Sequence, residues 1–238
     1  MRNKLVRLYY PKRITENTNS VISKEHSHYL KNVMRLNIGS KVNFFNKEGE
    51  WSCEIINFEK DIVEVSFLKK VRNILFQSST ELAICLVKKG PMEIILQKAT
   101  ELGVNKIIPI ISERTEVKDL NFDRANKIVV EATEQSNQFN PPEISKIINL
   151  KNFIDNLGDK RLFFADINSN HKLELKDFES KKTICILIGP EGDFSPLERE
   201  VILKKTNVVS FSLSKNILRT DTAVISAISL VNFINNNH

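Results

Sequence analysis

Apolar positions in this chain follow one pattern up to about residue 70 and another after it. The early runs are short and strand-like: Leu5–Tyr10, Lys41–Phe45, Trp51–Phe58 and Ile62–Leu68. Turn formers separate them at Asn37-Ile38-Gly39-Ser40, Asn46-Lys47-Glu48-Gly49 and Glu59-Lys60-Asp61. A single helix is expected in their midst, His26–Arg35, because Tyr29, Leu30, Val33 and Met34 recur at helical spacing. A small β-barrel or curled sheet with one helix fits this pattern. The polar break from Lys69 to Ser79 marks a boundary, giving a first domain over 1–72 and a second over 73–238.

After the break, strands alternate with helices. Glu81–Val87 reads as a strand and leads through Lys88-Lys89-Gly90-Pro91 into a helix, Met92–Leu102, which Gly103 ends. Lys106–Ile111 is the next strand and Asp123–Gln138 a long helix. Arg161–Ala165 and Thr183–Ile188 are strands, Ser195–Lys205 a helix, Val208–Leu213 a strand and Thr220–Ile234 the last helix. This alternation predicts an α/β domain with a largely parallel sheet covered on both faces. Ligands of such sheets sit at the carboxyl ends of strands, so the loops after Ile188 and Leu213 are expected to form one site.

Composition narrows the class. Hydrophobic residues at 41% and charged residues at 27% exclude a disordered chain. Charged or polar residues interrupt every apolar run short of a membrane span, and no signal-peptide core comes after the basic start, so a cytoplasmic protein is expected. Cys53, Cys85 and Cys185 are odd in number and far apart, which points to buried thiols rather than disulfides or zinc. His26 and His28 are two apart and face apart on a helix, so no metal is expected. The net charge of +6 arises in the first third: residues 1–75 carry fourteen Lys/Arg against eight Asp/Glu, whereas residues 76–238 carry twenty-one of each. A cationic segment that also holds Tyr9, Tyr10 and Tyr29 points to a nucleic-acid partner.

Two stretches near the end carry the chemistry. Ile188-Gly189-Pro190-Glu191-Gly192 is a turn whose glycines permit close approach or positive φ. Ser195 with Glu198 then forms a capping box, with Pro196 at the first helical position. Arg219 precedes the capping residues Thr220-Asp221-Thr222. A cation opposes the helix dipole there, so a role toward an anionic or electron-rich group is expected of it.

Together these stretches resemble the RsmE family of SPOUT RNA methyltransferases, which methylate N3 of a uridine in small-subunit ribosomal RNA. Residues 188–192 match the family's GPEGG loop, and Leu213 to Thr222, LSKNILRTDT, match its LGxRILRxET segment. Upstream, Lys89-Gly90 through Met92, Gln97 to Val104, Ser112-Glu113-Arg114 and Glu131 to Gln135 fall where the family has KGxRM, QKxTELGV, SER and EAxEQ. At the front, Arg7-Leu8-Tyr9 and His28 to Arg35 resemble its RxY and HxxxVLR elements. The chain departs from the pattern at Asp193, Ser214 and Asn216, where the family has Gly, Gly and Arg, and at Asn137-Gln138, where it commonly has Gly-Arg.

The resemblance implies a PUA-like N-terminal barrel and a C-terminal SPOUT α/β domain with a trefoil knot. It also implies a homodimer that binds S-adenosylmethionine and acts on 16S rRNA or the small ribosomal subunit. The cofactor residues it indicates are Leu187, Ile188, Gly189, Pro190, Glu191 and Gly192 with Phe211, Leu213, Ile217, Leu218, Arg219, Thr220 and Thr222. Arg219 is the expected electrostatic stabiliser of the target base; Glu191 is a candidate proton acceptor, with Asp221 as its alternative. Arg7, Lys12, Arg13, Lys31 and Arg35 are candidate phosphate contacts. Gln97, Glu101, Arg114, Glu131 and Glu134 carry no mechanism that the sequence reveals. Two rival readings stay open: an RNA-binding assembly factor with a decayed transferase site, and a SPOUT enzyme with another RNA target.

Overall fold

The computed structural model describes residues 5–74, 79–178 and 183–235. The first four residues and part of the 69–79 break, positions 75–78, lie outside the described residues. The chain divides into two compact units, Met1–Gln77 with Thr133–Asn140, and Ser78–Ala132 with Pro141–His238. No composition shift signals that the segment 133–140 groups with the first unit.

In the first unit β1 (Arg7–Tyr9), β2 (Thr18–Val21), β3 (Lys41–Asn46), β4 (Gly49–Glu59) and β5 (Ile62–Arg72) form a sheet in the order β1-β3-β4-β5-β2. The β1–β3 pair is parallel and the other pairs are antiparallel. Alternating residues of β3, β4 and β5, including Val42, Phe44, Cys53, Ile55, Val63 and Val65, are fully buried, as period-two patterning requires. β2 was not legible because Thr18-Asn19-Ser20-Val21 is polar; as an edge strand it buries little.

The expected helix over 26–35 is two shorter windings. α1 (Lys24–His28) begins at Ser23, whose hydroxyl accepts from the His26 amide at 3.1 Å. A π-turn over Tyr29–Val33 comes next, and Arg35 leaves it at φ 51°. The wider winding breaks the 3.6-residue spacing, so Leu30 is fully buried while Val33 is 57% exposed.

The second unit contains β6 (Thr80–Cys85), α2 (Lys89–Glu101), β7 (Lys106–Ile111), α3 (Phe122–Gln135), β8 (Glu143–Ile144), β9 (Ile148–Asn149) and α4 (Leu150–Asp155). Then come β10 (Arg161–Ala165), β11 (Ile184–Ile188), α5 (Pro196–Leu203), β12 (Val208–Phe211) and α6 (Thr220–Asn235). Its sheet runs β12-β10-β11-β6-β7-β8, with β9 also on β7, and every pair is parallel. Leu82 and Ile84 of β6 join one buried cluster with residues of α2, α3 and α6. Ala83 and Cys85 join another with residues of α4 and α5. Helices therefore cover both faces, and these strands read as continuous apolar runs for that reason.

Local signals explain the ends. Gly103 takes φ 84° after α2, a left-handed cap that glycine adopts without strain. α3 stops short of the expected Gln138, and Asn137 turns away at φ 68°. The two-residue strands β8 and β9 and the short helix α4 lacked any sequence period long enough to read.

Candidate functional site

β10 lies between β11 and β12, and all three run parallel. Their carboxyl ends therefore share one side of the sheet, where the connecting loops line a cavity of about 660 Å³, mouth included. Three strand ends contribute: Ala165 to Ile167 at the end of β10, Ile188 to Glu191 with Asp193 at the end of β11, and Ser212 to Ser214 with Asn216 to Leu218 after β12, with Thr220 and Ala223 of α6 closing one side.

Hydrogen bonds shape the β11 turn, among them the Asp193 amide donating to the Pro190 carbonyl at 3.0 Å. Asp193 adopts φ 58°, and its Oδ1 accepts from the Phe194 amide at 2.8 Å. Aspartate tolerates this left-handed conformation because its short carboxylate bonds locally. The positive φ thus falls on Asp193, while Gly189 serves close approach: a Cβ there would lie 3.0 Å from the Phe194 ring. Ser195 caps α5, its Oγ accepting from the Glu198 amide at 3.3 Å while Glu198 Oε2 accepts from the Ser195 amide at 3.0 Å. The second Glu198 oxygen accepts from the Glu113 amide at 2.8 Å, and Arg114 Nη1 donates to the Gly192 carbonyl at 3.0 Å. The Ser112-Glu113-Arg114 motif, silent in the sequence, is thus a brace on the turn.

The β10 loop supplies Asp166, a lining residue that sequence reasoning missed. Its side chain is buried, and Arg199 of α5 grips Oδ2 through Nε at 3.0 Å and Nη2 at 2.8 Å. Hydrogen bonding to Asp166 raises the Arg199 pKa. The signal available was Ala165-Asp166-Ile167, a carboxylate at the end of an apolar strand. In the β12 loop, Ser212 Oγ donates to the Ser214 carbonyl at 3.3 Å, and Ser214 Oγ accepts from the Asn216 amide at 3.0 Å.

The expected cofactor residues separate into two groups. Ile188, Gly189, Pro190, Glu191, Leu213, Ile217, Leu218 and Thr220 line the cavity. Leu187 and Phe211 are fully buried in the core clusters, and Gly192, Arg219 and Thr222 fall outside the lining. Arg219 is exposed at the start of α6, its carbonyl accepting from the Ala223 amide at 2.8 Å.

The basic candidates of the first unit differ among themselves. Lys12, Arg13, Lys31 and Arg35 are exposed, and Lys31 Nζ donates to the Lys60 carbonyl. Arg7 instead has a side chain only 10% exposed, in an ion pair with Glu50 at 3.0 Å. Its other nitrogens donate to the Thr133 carbonyl at 3.1 Å and to the Gln138 carbonyl, and its guanidinium lies 3.5 Å from the Phe45 ring centroid. Arg7 is therefore a clamp on the 133–140 segment, with its donors committed inside the unit. Glu134, also silent in the sequence, accepts from the Tyr9 amide at 2.8 Å in the same clamp.

Among the described residues, no group of three or more His, Cys, Asp or Glu is arranged to hold a metal, and no helix is long and apolar enough to cross a membrane. The three thiols are buried and unpaired. Burial pushes Cys53 and Cys85 up to about 12, which keeps them protonated.

Comparison with known proteins agrees with this geometry. Residues 76–232 match the family described as RNA methyltransferase domain, and residues 22–68 match RNA methyltransferase PUA domain. A ribosomal RNA small subunit methyltransferase E of Rickettsia conorii is 32% identical, the match covering 96% of this chain and 95% of that protein. The protein of the same name from Bacillus subtilis is 28% identical over 89% of each. The crystal structure of a ribosomal RNA small subunit methyltransferase E from Neisseria gonorrhoeae, bound to S-adenosylmethionine, superposes with a TM-score of 0.87. That likeness covers 97% of this chain and 98% of the other at 26% identity.

Proposed function

We propose, because this chain belongs to the ribosomal RNA small subunit methyltransferase E family, that it methylates N3 of a uridine in 16S rRNA with S-adenosylmethionine as donor. The observation that carries the reading is the single cavity built from the loops after β10, β11 and β12. Its residues suit the cofactor: Ile188, Leu213, Ile217 and Leu218 offer apolar walls for a purine, and buried Asp166 offers a polar anchor. When bound, the cofactor supplies an electrophilic methyl group on a sulfonium sulfur.

The chain's own residues hold the two reactants in line, the main contribution a protein makes to such a transfer. Arg219 stabilises the negative charge that develops on uracil N3. Glu191, exposed on the β11 turn, accepts the N3 proton. Lys12, Arg13, Lys31 and Arg35 contact RNA phosphates from the RNA-binding domain over 1–72, which falls within the first unit. The transferase domain, with a trefoil knot at the cofactor loops, lies within 73–238, apart from the segment 133–140 that groups with the first unit. In support, β10 sits between the two strands whose loops close the cavity.

We also assign a cytoplasmic homodimer. α6 buries Val224, Ala227, Ile228 and Val231 within the unit, while Phe233 on the same helix is 70% exposed. An exposed aromatic on a helix whose other side packs the core offers apolar surface for a second copy to cover. The departures at Asp193 and Ser214 make turn-shaping hydrogen bonds, which favours a working site over a decayed one.

The test is methylation of deproteinised 16S rRNA and of assembled small subunits, with the modified position mapped by mass spectrometry. Arg219→Ala is expected to bind S-adenosylhomocysteine normally and to methylate at least a hundredfold more slowly, an order of magnitude typical of one lost charge stabiliser, about 10²–10³. An undiminished rate in that variant rules out the assignment of Arg219.

A further inference from the structure

Asp193 brings to the cavity wall a charge that glycine at that position lacks. Asp193 lines the cavity, and its Oδ1 lies 3.6 Å from where a Cβ on Gly189, another lining residue, would stand. The hydrogen bond to that oxygen comes from the neighbouring Phe194 amide, and among the described residues no cationic side chain forms an ion pair with Asp193. Arg199 feels its charge at longer range but is committed to Asp166. The other carboxylates of the wall are situated differently. Asp166 is neutralised by the two-point grip of Arg199, and Glu191 is exposed in the part of the turn that matches the family motif.

This difference bears on the two forms of the cofactor, and so rests on the proposed methyl transfer. When the S–CH₃ bond breaks, its electron pair returns to sulfur, the methyl joins uracil N3, and the N3 proton leaves to a base. The sulfonium cation becomes a neutral thioether. The ammonium and carboxylate of the amino-acid end are the same before and after, so one positive charge separates donor from product.

We propose that Asp193 is a specificity-determining residue that selects the cationic methyl donor over the neutral product. A single charge pair across a partly solvated wall is worth roughly a threefold to tenfold preference. The wall therefore binds donor more tightly than product and lets product leave. Nothing comparable comes from Asp166, whose charge is already matched by Arg199.

Calorimetric titration of the full chain with three ligands tests this: S-adenosylmethionine, S-adenosylhomocysteine, and sinefungin, an analogue with a protonated amine in place of the sulfonium. Asp193→Asn keeps the amide acceptor and the tolerance of positive φ while removing the charge, and Asp193→Gly removes charge and side chain together. In both variants, affinity for the two cationic ligands should fall threefold to tenfold with that for S-adenosylhomocysteine unchanged. The difference from wild type should shrink in high salt. Equal losses for all three ligands would mean that Asp193 only shapes the turn, and no loss would mean that it does not sense the ligand; either overturns the inference alone. A wild-type chain that binds none of the three overturns the cofactor reading, and this inference with it.

Discussion

Arg7 reads in the sequence as a free cation and acts in the fold as a fastener. Its fork joins Glu50, the Thr133 carbonyl and the Gln138 carbonyl, and burial pulls its pKa below the ordinary arginine value while Glu50 opposes that shift. Arg7→Ala should cost about 2–4 kcal/mol, because it leaves buried acceptors short of donors. The check is a lower urea midpoint at unchanged slope. Arg7→Lys should recover little of the loss, since an ammonium cannot reproduce a planar fork stacked on Phe45. A residue's type was legible here and its role was not: an arginine pairs with whatever the tertiary fold brings within reach, and Gln138 is 131 positions away.

At the scale of elements, the N-terminus of α5 joins stability to the site. The capping box over Ser195 and Glu198 was legible because both partners lie within four residues. The other Glu198 oxygen was not, because it accepts from Glu113, 85 positions distant. Glu198→Ala removes acceptors for two backbone amides and should cost about 1–2 kcal/mol. It should also weaken S-adenosylhomocysteine binding, because the turn carrying Gly189 to Asp193 loses one of its two braces. Thermal unfolding and calorimetry on the same variant read both effects; normal affinity with lowered stability would confine Glu198 to capping. Elements that failed to announce themselves share a cause. β2 is polar, β8 and β9 are two residues long, and the π-turn after α1 breaks the period on which helix reading depends.

For the molecule as a whole, charge is the property that reaches furthest. The net charge of +6 is carried by residues 1–75, and in the first unit Lys12, Arg13, Lys31 and Arg35 are exposed. If each neutralises one phosphate, the logarithm of RNA affinity should fall against the logarithm of salt with a slope of about −3. Replacing Lys31 and Arg35 together by alanine should make that slope shallower by about 1.4, read by fluorescence anisotropy across a salt series. An unchanged slope would place the RNA surface elsewhere. Arg7 is left out of this set because its donors are committed within the unit.

The amino-acid sequence by itself determined the change of pattern near residue 70, the parallel α/β character of the chain beyond it, the capped start of α5 and the two polar loops at strand ends. These are local matters of period, propensity and capping, which neighbouring residues decide between them. Only the tertiary structure decided that β10 lies between β11 and β12, so that Asp166 joins the site, and that Arg114 and Glu198 hold the turn from opposite sides of a long stretch of chain. It likewise decided that the segment 133–140 belongs with the first unit through Arg7, Arg72 and Glu134. Such contacts depend on strand order and long-range packing, and strand order leaves no period in the sequence.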